Sequence, residues 1–384
     1  MFKKKKKPKI PKILFTGGGT AGHIYPIIAV TREIRRLGWE TDFIYIGPKD
    51  EFGQILLSRE GIKVKTILAG KIRRYISWKS VLHNLIDILF KIPAGFAQAF
   101  FYVFFINPDI IFSKGGYGSF SVVFWGWFLA NPIFLHESDV TPGLANRLLS
   151  RLTLEIFISF PVSQTKYFPE NKMISVGNPI RTELLTGSPQ KAMALFNLTG
   201  EKPVILILGG SQGSQRINEL ILRILPQFLI DFEIIHQTGE KNFNQVKAEA
   251  AVVIGPELKK YYHPVGFLDE TGLRNAYAAA GLVLSRAGSG AIFEIAACQK
   301  PSILVPLAES AQNHQVENAY AYAEKGAAIV IEEANLTPNF FLEKLRYLFA
   351  NPSELEKMSR AAAKFARPEA ARIVAEYILS YLKI

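Results

Sequence analysis

The chain has 384 residues, enough for two domains of ordinary size, and its formal net charge at pH 7 is +12. Hydrophobic residues make up 49% of it, which excludes a mainly disordered protein, and its single cysteine, Cys298, excludes a disulfide framework and a cysteine-ligated zinc site. The positive excess lies in the first half, because residues 1–180 contain 24 lysines and arginines against 12 aspartates and glutamates, whereas residues 181–384 contain 21 of each.

Lysines from Lys3 to Lys12 begin the chain, interrupted by Pro8 and Pro11. No long apolar segment with a small-residue cleavage site follows them, so we expect no secretory signal and a cytoplasmic protein. The uncharged segment 92–106 is shorter than the ~20 residues that span a bilayer. A second one, 115–135, predicts a buried helix and strand of a parallel α/β domain.

An apolar run followed by a glycine-rich turn and a helical pattern occurs twice. Residues 12–16 precede the first glycine turn, Gly17–Gly22, and residues 204–208 precede the second glycine turn, Gly209–Ser214. Strand, glycine-rich turn and helix, in this order, form the first unit of the doubly wound α/β domains that bind nucleotides. Two copies half a chain apart therefore predict an α/β protein with two such domains.

The segment 176–181 contains Gly, Asn and Pro and is the predicted linker. We therefore predict an N-terminal domain over 1–180 and a C-terminal domain over 181–367. The last helix, within 368–384, is long enough to pack back, and we assign it to the N-terminal domain.

The first glycine turn matches the dinucleotide fingerprint G-x-G-x-x-G. An NAD site is disfavoured, because the strand 41–46 runs into Gly47-Pro48-Lys49 and not into the acidic residue that would hold the ribose. Both turns still bring the main chain close to a ligand and precede a helix N-terminus, which favours anions. They predict a phosphate-bearing ligand in a cleft; tight turns without a ligand are the alternative.

Nine motifs then give the chain a resemblance to one family. They are Gly18-Gly19-Thr20-Ala21-Gly22-His23-x-x-Pro26, Gly115-Gly116-Tyr117, His136-Glu137, Gly143-x-x-Asn146-Arg147, Gly177-Asn178-Pro179-x-Arg181, Gly209-Gly210-Ser211-Gln212-Gly213, Ser285-Arg286-Ala287-Gly288, Glu294 and His314-Gln315-x-x-Asn318-Ala319. In type and order they resemble the MurG family. Its members are peripheral membrane enzymes that transfer N-acetylglucosamine from UDP-N-acetylglucosamine to lipid I and so form lipid II for peptidoglycan.

The resemblance implies the GT-B fold, two Rossmann-like domains that face a central cleft holding the active site. It implies an inverting glycosyltransferase that needs no metal and no cofactor, on the cytoplasmic face of the bacterial inner membrane. Its partners would be UDP-N-acetylglucosamine, lipid I and an anionic membrane surface. Nucleic acid is the weaker explanation of the positive charge, because no RNA- or DNA-binding motif is evident in the sequence.

The resemblance also implies a set of donor-binding residues. They are Thr20, Ala21, Gly22, Asp139, Arg181, Ser211, Gln212, Gly213, Phe267, Leu268, Ser289, Gly290, Ala291, Ile292, Phe293, Glu294, His314 and Gln315. Glu294 would accept hydrogen bonds from the ribose, the main chain of Leu268 would bind uracil, and Arg181 would contact the diphosphate. The chain departs from the family at two positions. The family often has Thr where this chain has Ala291, and it typically has Asn where this chain has Asp139.

Gly18, Gly19, Tyr117 and Asn146 are the residues that the resemblance implies for the acceptor. The reaction needs a base for the acceptor hydroxyl and stabilisation of the leaving diphosphate. His23 is our candidate base, because the pKa of an imidazole lies near the working pH, and Glu137 is its rival. A structural role for His23 is the alternative.

A basic and apolar segment between Lys63 and Lys91 corresponds to the proposed membrane-facing patch of the family. We assign to this patch Ile72, Arg73, Arg74, Trp78, Leu82, Leu85, Ile86 and Leu89. Apolar residues bordered by cations suit an anionic lipid surface, and a core helix with solubilising lysines is the alternative. For the whole protein the alternatives are another GT-B enzyme, such as a glycolipid synthase or a sugar-nucleotide epimerase, and a non-catalytic sensor of nucleotide sugars.

Overall fold

The structure is a computed structural model that describes residues 10–70, 85, 87–161, 167–210, 212–308 and 310–382. The chain divides into two compact units. The first unit comprises Met1–Ser138, Pro142–Pro179 and Glu369–Ile384, and the second unit comprises Asp139–Thr141 and Ile180–Pro368. Both are α/β units built on a parallel sheet.

The first unit contains a seven-stranded sheet in the order β3-β2-β1-β4-β5-β6-β7, and all of its described strand pairs are parallel. Its strands are β1 (Lys12–Thr16), β2 (Asp42–Pro48), β3 (Lys63–Ile67), β4 (Ile110–Ser113), β5 (Ile133–Glu137), β6 (Glu155–Ile158) and β7 (Met173–Ser175). Its helices are α1 (Ala21–Arg36), α2 (Glu51–Arg59), α3 (Ile92–Ile106), α4 (Phe120–Phe128), α5 (Leu144–Leu149) and, at the end of the chain, α14 (Ala370–Leu382).

Strand β1 shows why the sheet is covered on both faces. Its alternate side chains point to opposite faces, and all of them after Lys12 are buried. Ile13 and Phe15 belong to one apolar core, which α1 and α14 complete, whereas Leu14 belongs to a second core on the other face. A continuous apolar strand is typical of a parallel sheet with helices on both sides.

Helix α3 is preceded by the π-helical turn Asp87–Lys91, so the continuous helix covers Asp87–Ile106. These 20 residues are long and apolar enough to cross a membrane by length and composition, although one or two such helices are weak indications of a span. The uncharged segment 92–106, judged too short to span a bilayer, coincides with α3 itself, and the helix reaches 20 residues only with the turn that contains Asp87 and Lys91. The side chains of Asp87 and Lys91 form an ion pair with an Nζ–Oδ1 distance of 2.7 Å.

Helix α4 differs from its prediction as well. We predicted a buried helix within 115–135, but only Val122, Val123 and Gly126 of α4 are buried. The side chains of Trp127 and Phe128 are 49% and 62% exposed. An all-round apolar helix looks buried in sequence, and only its packing tells which side is covered.

The second unit contains a six-stranded sheet in the order β10-β9-β8-β11-β12-β13, again parallel in every described pair. Its strands are β8 (Val204–Leu208), β9 (Glu233–Gln237), β10 (Tyr262–Val265), β11 (Leu282–Ser285), β12 (Ser302–Leu304) and β13 (Ala328–Val330). Its helices are α6 (Pro189–Phe196), α7 (Gln215–Asp231), α8 (Phe243–Val253), α9 (Glu270–Ala279), α10 (Ser289–Ala297), α11 (His314–Ala323), α12 (Pro338–Ala350) and α13 (Pro352–Phe365).

Residues 139–141 belong to the second unit, although the sequence placed them in the first domain. Asn318 of α11 accepts a hydrogen bond from the Val140 N–H at 2.9 Å and donates one to Asp139 Oδ1 at 2.7 Å. A side chain 178 residues further along the chain thus assigns this short segment, which local sequence cannot reveal.

The packing of α14 yields a test of the first unit. Ile378 is fully buried in α14, whereas Ile373 in the same helix is 41% exposed. We expect Ile378→Ala to lower the free energy of unfolding by about 2–5 kcal/mol, because it leaves a cavity against α1. Ile373→Ala should change it by less than about 0.5 kcal/mol. Urea unfolding, monitored through the hydrogen exchange of α1 amides, measures the free energy of unfolding of both variants. Equal losses in the two variants would contradict the assigned packing.

Candidate functional site

The first glycine turn joins β1 to the N-terminus of α1. A Cβ at Gly18 would lie 2.8 Å from the imidazole of His23, so only glycine allows the ring to pack there. The Tyr45 hydroxyl donates to the carbonyl oxygen of Gly17 at 3.2 Å, and this hydrogen bond connects β2 to the turn. Thr20 is the N-cap residue of α1, and Ala21 and Gly22 are its first two residues. The main-chain amides at this helix start are suited to an anion.

The imidazole of His23 is oriented within this turn. Its Nδ1 lies 3.0 Å from Thr20 Oγ1, and a Cβ at Gly116 would come within 3.4 Å of its Cε1. The motifs around Gly18 and Gly116, nearly a hundred residues apart in sequence, therefore meet at His23. Tyr117 follows Gly116 and is 44% exposed, and its partial burial together with the charge of Asp50 raises the pKa of its phenol.

Glu137 and Asn146 form a buried pair in the first unit. Asn146 Nδ2 donates to Glu137 Oε2 at 2.7 Å, and the two residues are 3% and 5% exposed. The amide oxygen of Asn146 is buried without a hydrogen-bond partner in the described part of the chain. A buried acceptor without a partner is costly, so this oxygen is suited to receive a hydrogen bond from a ligand. Glycine is required beside it, since a Cβ at Gly115 would lie 1.7 Å from this oxygen.

The second glycine turn joins β8 to α7, and its Ser211 lies outside the described residues. Gly213 has a left-handed backbone with φ of 78°, and a Cβ there would lie 2.1 Å from the carbonyl oxygen of Thr238. Ser214 caps α7 by accepting from the Ile217 N–H at 3.3 Å. Gln212 and Gly213 thus lie directly before a capped helix N-terminus, as an anion site requires.

A buried network supports the second glycine turn. His236 Nε2 donates to Asn218 Oδ1 at 3.0 Å, and Asn218 Nδ2 donates to the Thr238 carbonyl oxygen at 3.0 Å. The other imidazole nitrogen, Nδ1, accepts from the Tyr262 hydroxyl at 2.9 Å. Because complete burial disfavours the charged ring, the pKa of His236 falls to about 3.

Arg181 and Glu294, the predicted diphosphate and ribose ligands, contact each other. Arg181 Nη2 lies 3.0 Å from Glu294 Oε1, and Arg181 Nη1 lies 3.8 Å from Glu270 Oε2. The side chain of Arg181 is 5% exposed and that of Glu294 is 13% exposed. Glu270 was not singled out in the sequence, because nothing in its local pattern places it beside Arg181.

The first turn of α10 contributes main-chain groups. Gly288 is its N-cap residue, and the amides of Ser289, Gly290 and Ala291 form the helix start. Ile292 already donates its N–H to the Gly288 carbonyl oxygen, and the side chains of Ile292 and Phe293 lie in the core, 0% and 1% exposed. Phe293 packs against Phe365 with ring centroids 5.1 Å apart. These two predicted donor residues therefore support the helix through packing.

The predicted uracil-binding residue, Leu268, has its amide engaged. Its N–H donates to Gln237 Oε1 at 3.0 Å, and Gln237 Nε2 donates to the Gly210 carbonyl oxygen at 2.9 Å. Gln237 at the end of β9 thus connects Leu268, which follows Phe267, to the second glycine turn. Gln237 was not among the predicted site residues, although its place directly after the apolar run 232–236 was a usable signal.

Helix α11 begins at His314 after two residues with left-handed backbones, Gln312 and Asn313. Gln315 Oε1 accepts from the Leu307 N–H at 3.1 Å, which orients its amide group. One turn further on, Asn318 holds Asp139. Asn318 belonged to a recognised motif but had no predicted role; its two hydrogen bonds to residues 139–140 now give it one.

Of the predicted membrane patch, only Leu85 and Leu89 lie within the described residues, where they are 52% and 56% exposed. Ile72, Arg73, Arg74, Trp78, Leu82 and Ile86 lie outside them. Among the described residues there is also an exposed aromatic face, which was not predicted from the sequence. It consists of Phe90, Phe101, Phe104, Phe105, Trp127 and Phe128, which are 49–75% exposed. The uncharged segment 92–106 was its signal in the sequence.

No group of three or more His, Cys, Asp or Glu side chains within the described ranges is arranged to hold a metal ion. Main-chain amides at the helix starts and the guanidinium group of Arg181 are suited to a phosphate-bearing ligand.

The buried neutral His236 predicts a pH dependence of stability. Below pH 6.5 the unfolded chain protonates this histidine while the folded protein does not, so unfolding becomes easier as the pH falls from 6.5 towards about 3. The slope should approach about 1.4 kcal/mol per pH unit for this one group. Urea unfolding between pH 7 and pH 4 measures it. His236→Asn should flatten the slope by that amount, and an unchanged slope would show that His236 is not the group responsible.

Comparison with known proteins places this site in context. Two family models match the chain, the glycosyltransferase family 28 N-terminal domain over residues 13–158 and the family 28 C-terminal domain over residues 204–374. A UDP-N-acetylglucosamine--N-acetylmuramyl-(pentapeptide) pyrophosphoryl-undecaprenol N-acetylglucosamine transferase 2 of Bacillus cereus is 34% identical over 368 residues, 96% of this chain and 99% of the relative. The corresponding transferase of Clostridium tetani is 37% identical, over 88% and 90% of the two chains.

A solved structure of Acinetobacter baumannii MurG aligns with 96% of this chain and 99% of its own, at a TM-score of 0.72 and 23% identity. At this identity the likeness shows the fold, and it confirms the predicted GT-B class. The coverage of the two transferases shows more, because it includes both units at over 30% identity. The chain therefore belongs to glycosyltransferase family 28 and, within it, to the MurG family of UDP-N-acetylglucosamine--N-acetylmuramyl-(pentapeptide) pyrophosphoryl-undecaprenol N-acetylglucosamine transferases.

Proposed function

We propose that this protein transfers N-acetylglucosamine from UDP-N-acetylglucosamine to O4 of the muramic acid of lipid I, and so makes lipid II for peptidoglycan synthesis. The observation that carries the proposal is its relation, over nearly its full length, to proteins named for this transfer. The two glycine turns support it, because each precedes a helix N-terminus suited to one of the two diphosphates of the reaction.

The second unit is the proposed donor site. Glu294 would accept from the ribose hydroxyls while it keeps Arg181, since a carboxylate offers about four lone-pair sites. The amide of Gln212, in the turn that leads into α7, would hold the diphosphate, while the Gly213 N–H closes the turn by donating to the Gly210 carbonyl oxygen at 3.0 Å. Uracil would bind at Leu268, where Gln237 Oε1 occupies the amide and would have to exchange with a uracil oxygen.

The first unit is the proposed acceptor site. The main chain of the first glycine turn, at Gly18 and Gly19, would hold the diphosphate of lipid I. Asn146 would accept a hydrogen bond from the sugar or the peptide of lipid I, because its buried amide oxygen has no hydrogen-bond partner in the described part of the chain. Tyr117, which is 44% exposed in the loop between β4 and α4, would contact the acceptor from outside.

In the proposed reaction the muramic acid O4 attacks the anomeric carbon and forms the new glycosidic bond. The bond from that carbon to the diphosphate oxygen breaks with inversion, and UDP leaves with the electron pair. Amides of the second glycine turn and Arg181 would stabilise the charge that develops on the diphosphate. The O4 proton passes to a base, for which His23 is our proposal and Glu137 the rival.

A transfer assay tests the whole proposal. Labelled N-acetylglucosamine should appear in a lipid I analogue only when both the analogue and UDP-N-acetylglucosamine are present, and UDP-N-acetylgalactosamine should be a poor donor. Interconversion of the nucleotide sugar without an acceptor would instead identify an epimerase, and nucleotide-sugar binding without transfer would identify a sensor.

The roles of His23 and Glu294 are separable. His23→Ala should lower kcat about 10²–10⁴-fold, because proton transfer contributes a factor of that size, while the Kd for UDP stays within about twofold. Glu294→Gln should instead raise the Kd for UDP, because it weakens the contact with the ribose. Single-turnover transfer and calorimetric titration with UDP measure the two effects. If His23→Ala raised the Kd for UDP by as large a factor as it lowered kcat, His23 would be a structural residue of the turn.

We also propose that the exposed aromatic face binds the membrane surface. Ala99 and Val103 lie on the buried side of α3 and Gly95 packs against the Leu68 main chain, while Phe101 and Phe105 project from the other side. Because one side of α3 is packed on the first unit, an interfacial position is supported over a transmembrane one. The basic excess of the first half would add attraction to anionic lipid.

Vesicle binding tests this face. The combined variant Phe101→Ser, Phe104→Ser and Phe105→Ser should reduce sedimentation with phosphatidylglycerol vesicles at least about tenfold, since each buried aromatic ring contributes apolar transfer energy. Transfer to a water-soluble acceptor should be unchanged. Phe340→Ser with Tyr347→Ser, which removes exposed aromatic residues from the second unit, is the matched control. Equal losses for both variants would rule out a specific face.

A further inference from the structure

Lys114 is a buried cation at the carboxyl end of β4 to which no role has been given so far. It is 2% exposed, and its Nζ lies 2.5 Å from His136 Nδ1 and 2.5 Å from Ser138 Oγ. A lysine is rarely buried to this extent, because its ammonium group loses strong hydration. Its retention at this position therefore calls for a reason beyond packing.

The directions of the hydrogen bonds around Lys114 follow from chemistry. The carbonyl oxygen of Gly177 can only accept, so His136 Nε2, 3.1 Å away, donates to it and His136 Nδ1 carries a lone pair. Lys114 therefore donates to Nδ1. Burial and the neighbouring ammonium group lower the pKa of His136 well below its usual value, so the ring stays neutral in this tautomer.

Ser138 is held in the same way. Its hydroxyl donates to Asn178 Oδ1 at 3.1 Å, so its lone pair accepts from Lys114. Both recipients of the ammonium protons are thereby hydrogen-bonded on their other side to the segment 177–178 of the first unit. We call Lys114, His136 and Ser138 the lysine clamp.

The lysine clamp holds the two residues on either side of Glu137. His136 and Glu137 end β5, and alternate side chains of an extended chain point in opposite directions. With His136 and Ser138 fixed towards Lys114, the Glu137 carboxylate is directed to the other side, where Asn146 donates to it at 2.7 Å. Lys114 also lies against the first glycine turn, because its N–H donates to the Thr16 carbonyl oxygen at 2.8 Å and a Cβ at Gly17 would lie 3.3 Å from its own.

We propose that Lys114 is a positioning residue of the transfer reaction, which fixes Glu137 towards the acceptor by clamping His136 and Ser138. The inference rests on the proposed function, and it holds whether Glu137 takes the proton or orients the acceptor hydroxyl. Lys114 does not touch the substrate in this role. Its effect on turnover passes through Glu137.

A double-mutant cycle tests the proposal. Lys114→Met should lower kcat/KM for a lipid I analogue about 10–100-fold and leave the Kd for UDP within about twofold. In a Glu137→Gln background the same substitution should lower kcat/KM by no more than about threefold, because its route of action is already lost. An equal loss in both backgrounds would overturn the proposal, as would full activity of Lys114→Met.

The matched control is Lys172, a partly buried lysine directly before β7, whose Nζ donates to the Thr153 carbonyl oxygen at 2.8 Å. Lys172→Met should leave kcat/KM within about threefold, and a loss equal to that of Lys114→Met would mark a general structural effect and overturn the proposal. If Lys114→Met does not fold, Ser138→Ala removes one arm of the clamp and should show the same dependence on Glu137. Absence of transfer by the unaltered protein would overturn the proposed function, whereas additive losses in an active enzyme overturn only the role of Lys114.

Discussion

Parallel strand pairing is the constraint on which the rest of this structure depends. In each unit it places the carboxyl ends of all strands at one edge of the sheet, where the chain must turn into a helix. The first glycine turn, Lys114 and Glu137 come at the ends of β1, β4 and β5, which are neighbours in the sheet. The second glycine turn, Gln237 and Arg286 come at the ends of β8, β9 and β11, which are also neighbours. The sites are therefore assembled by topology from segments far apart in sequence.

Buried polar networks then hold these edges rigid. In the first unit the lysine clamp fixes the end of β5, and in the second unit His236 and Asn218 fix the Thr238 carbonyl oxygen against Gly213. Both networks contain a histidine that burial keeps neutral and in a single tautomer. The second network positions main-chain groups, which suits a site that recognises phosphate through amides, whereas the lysine clamp directs the Glu137 carboxylate.

The surface of the first unit combines exposed aromatic side chains with an excess of positive charge. Helix α3 covers the sheet with one side and leaves Phe101, Phe104 and Phe105 exposed on the other, although a soluble domain rarely exposes so many aromatic side chains together. The charge excess of the first half has the sign that anionic lipid attracts. Apolar exposure and positive charge thus lie on the unit proposed to take its acceptor from a membrane.

The sequence by itself determined the α/β class, the two glycine turns and the family, because glycine spacing and apolar periodicity are local and a turn with φ near 78° admits few other residues. It could not decide which side of an all-apolar helix is exposed, nor that a π-helical turn over Asp87–Lys91 continues into α3, since packing and an ion pair settle both. It also missed Lys114, Gln237 and Glu270, and it gave Asn318 no role. Their partners lie between 22 and 179 residues away in the chain, and hydrogen bonds and ion pairs over such separations exist only once the chain has folded.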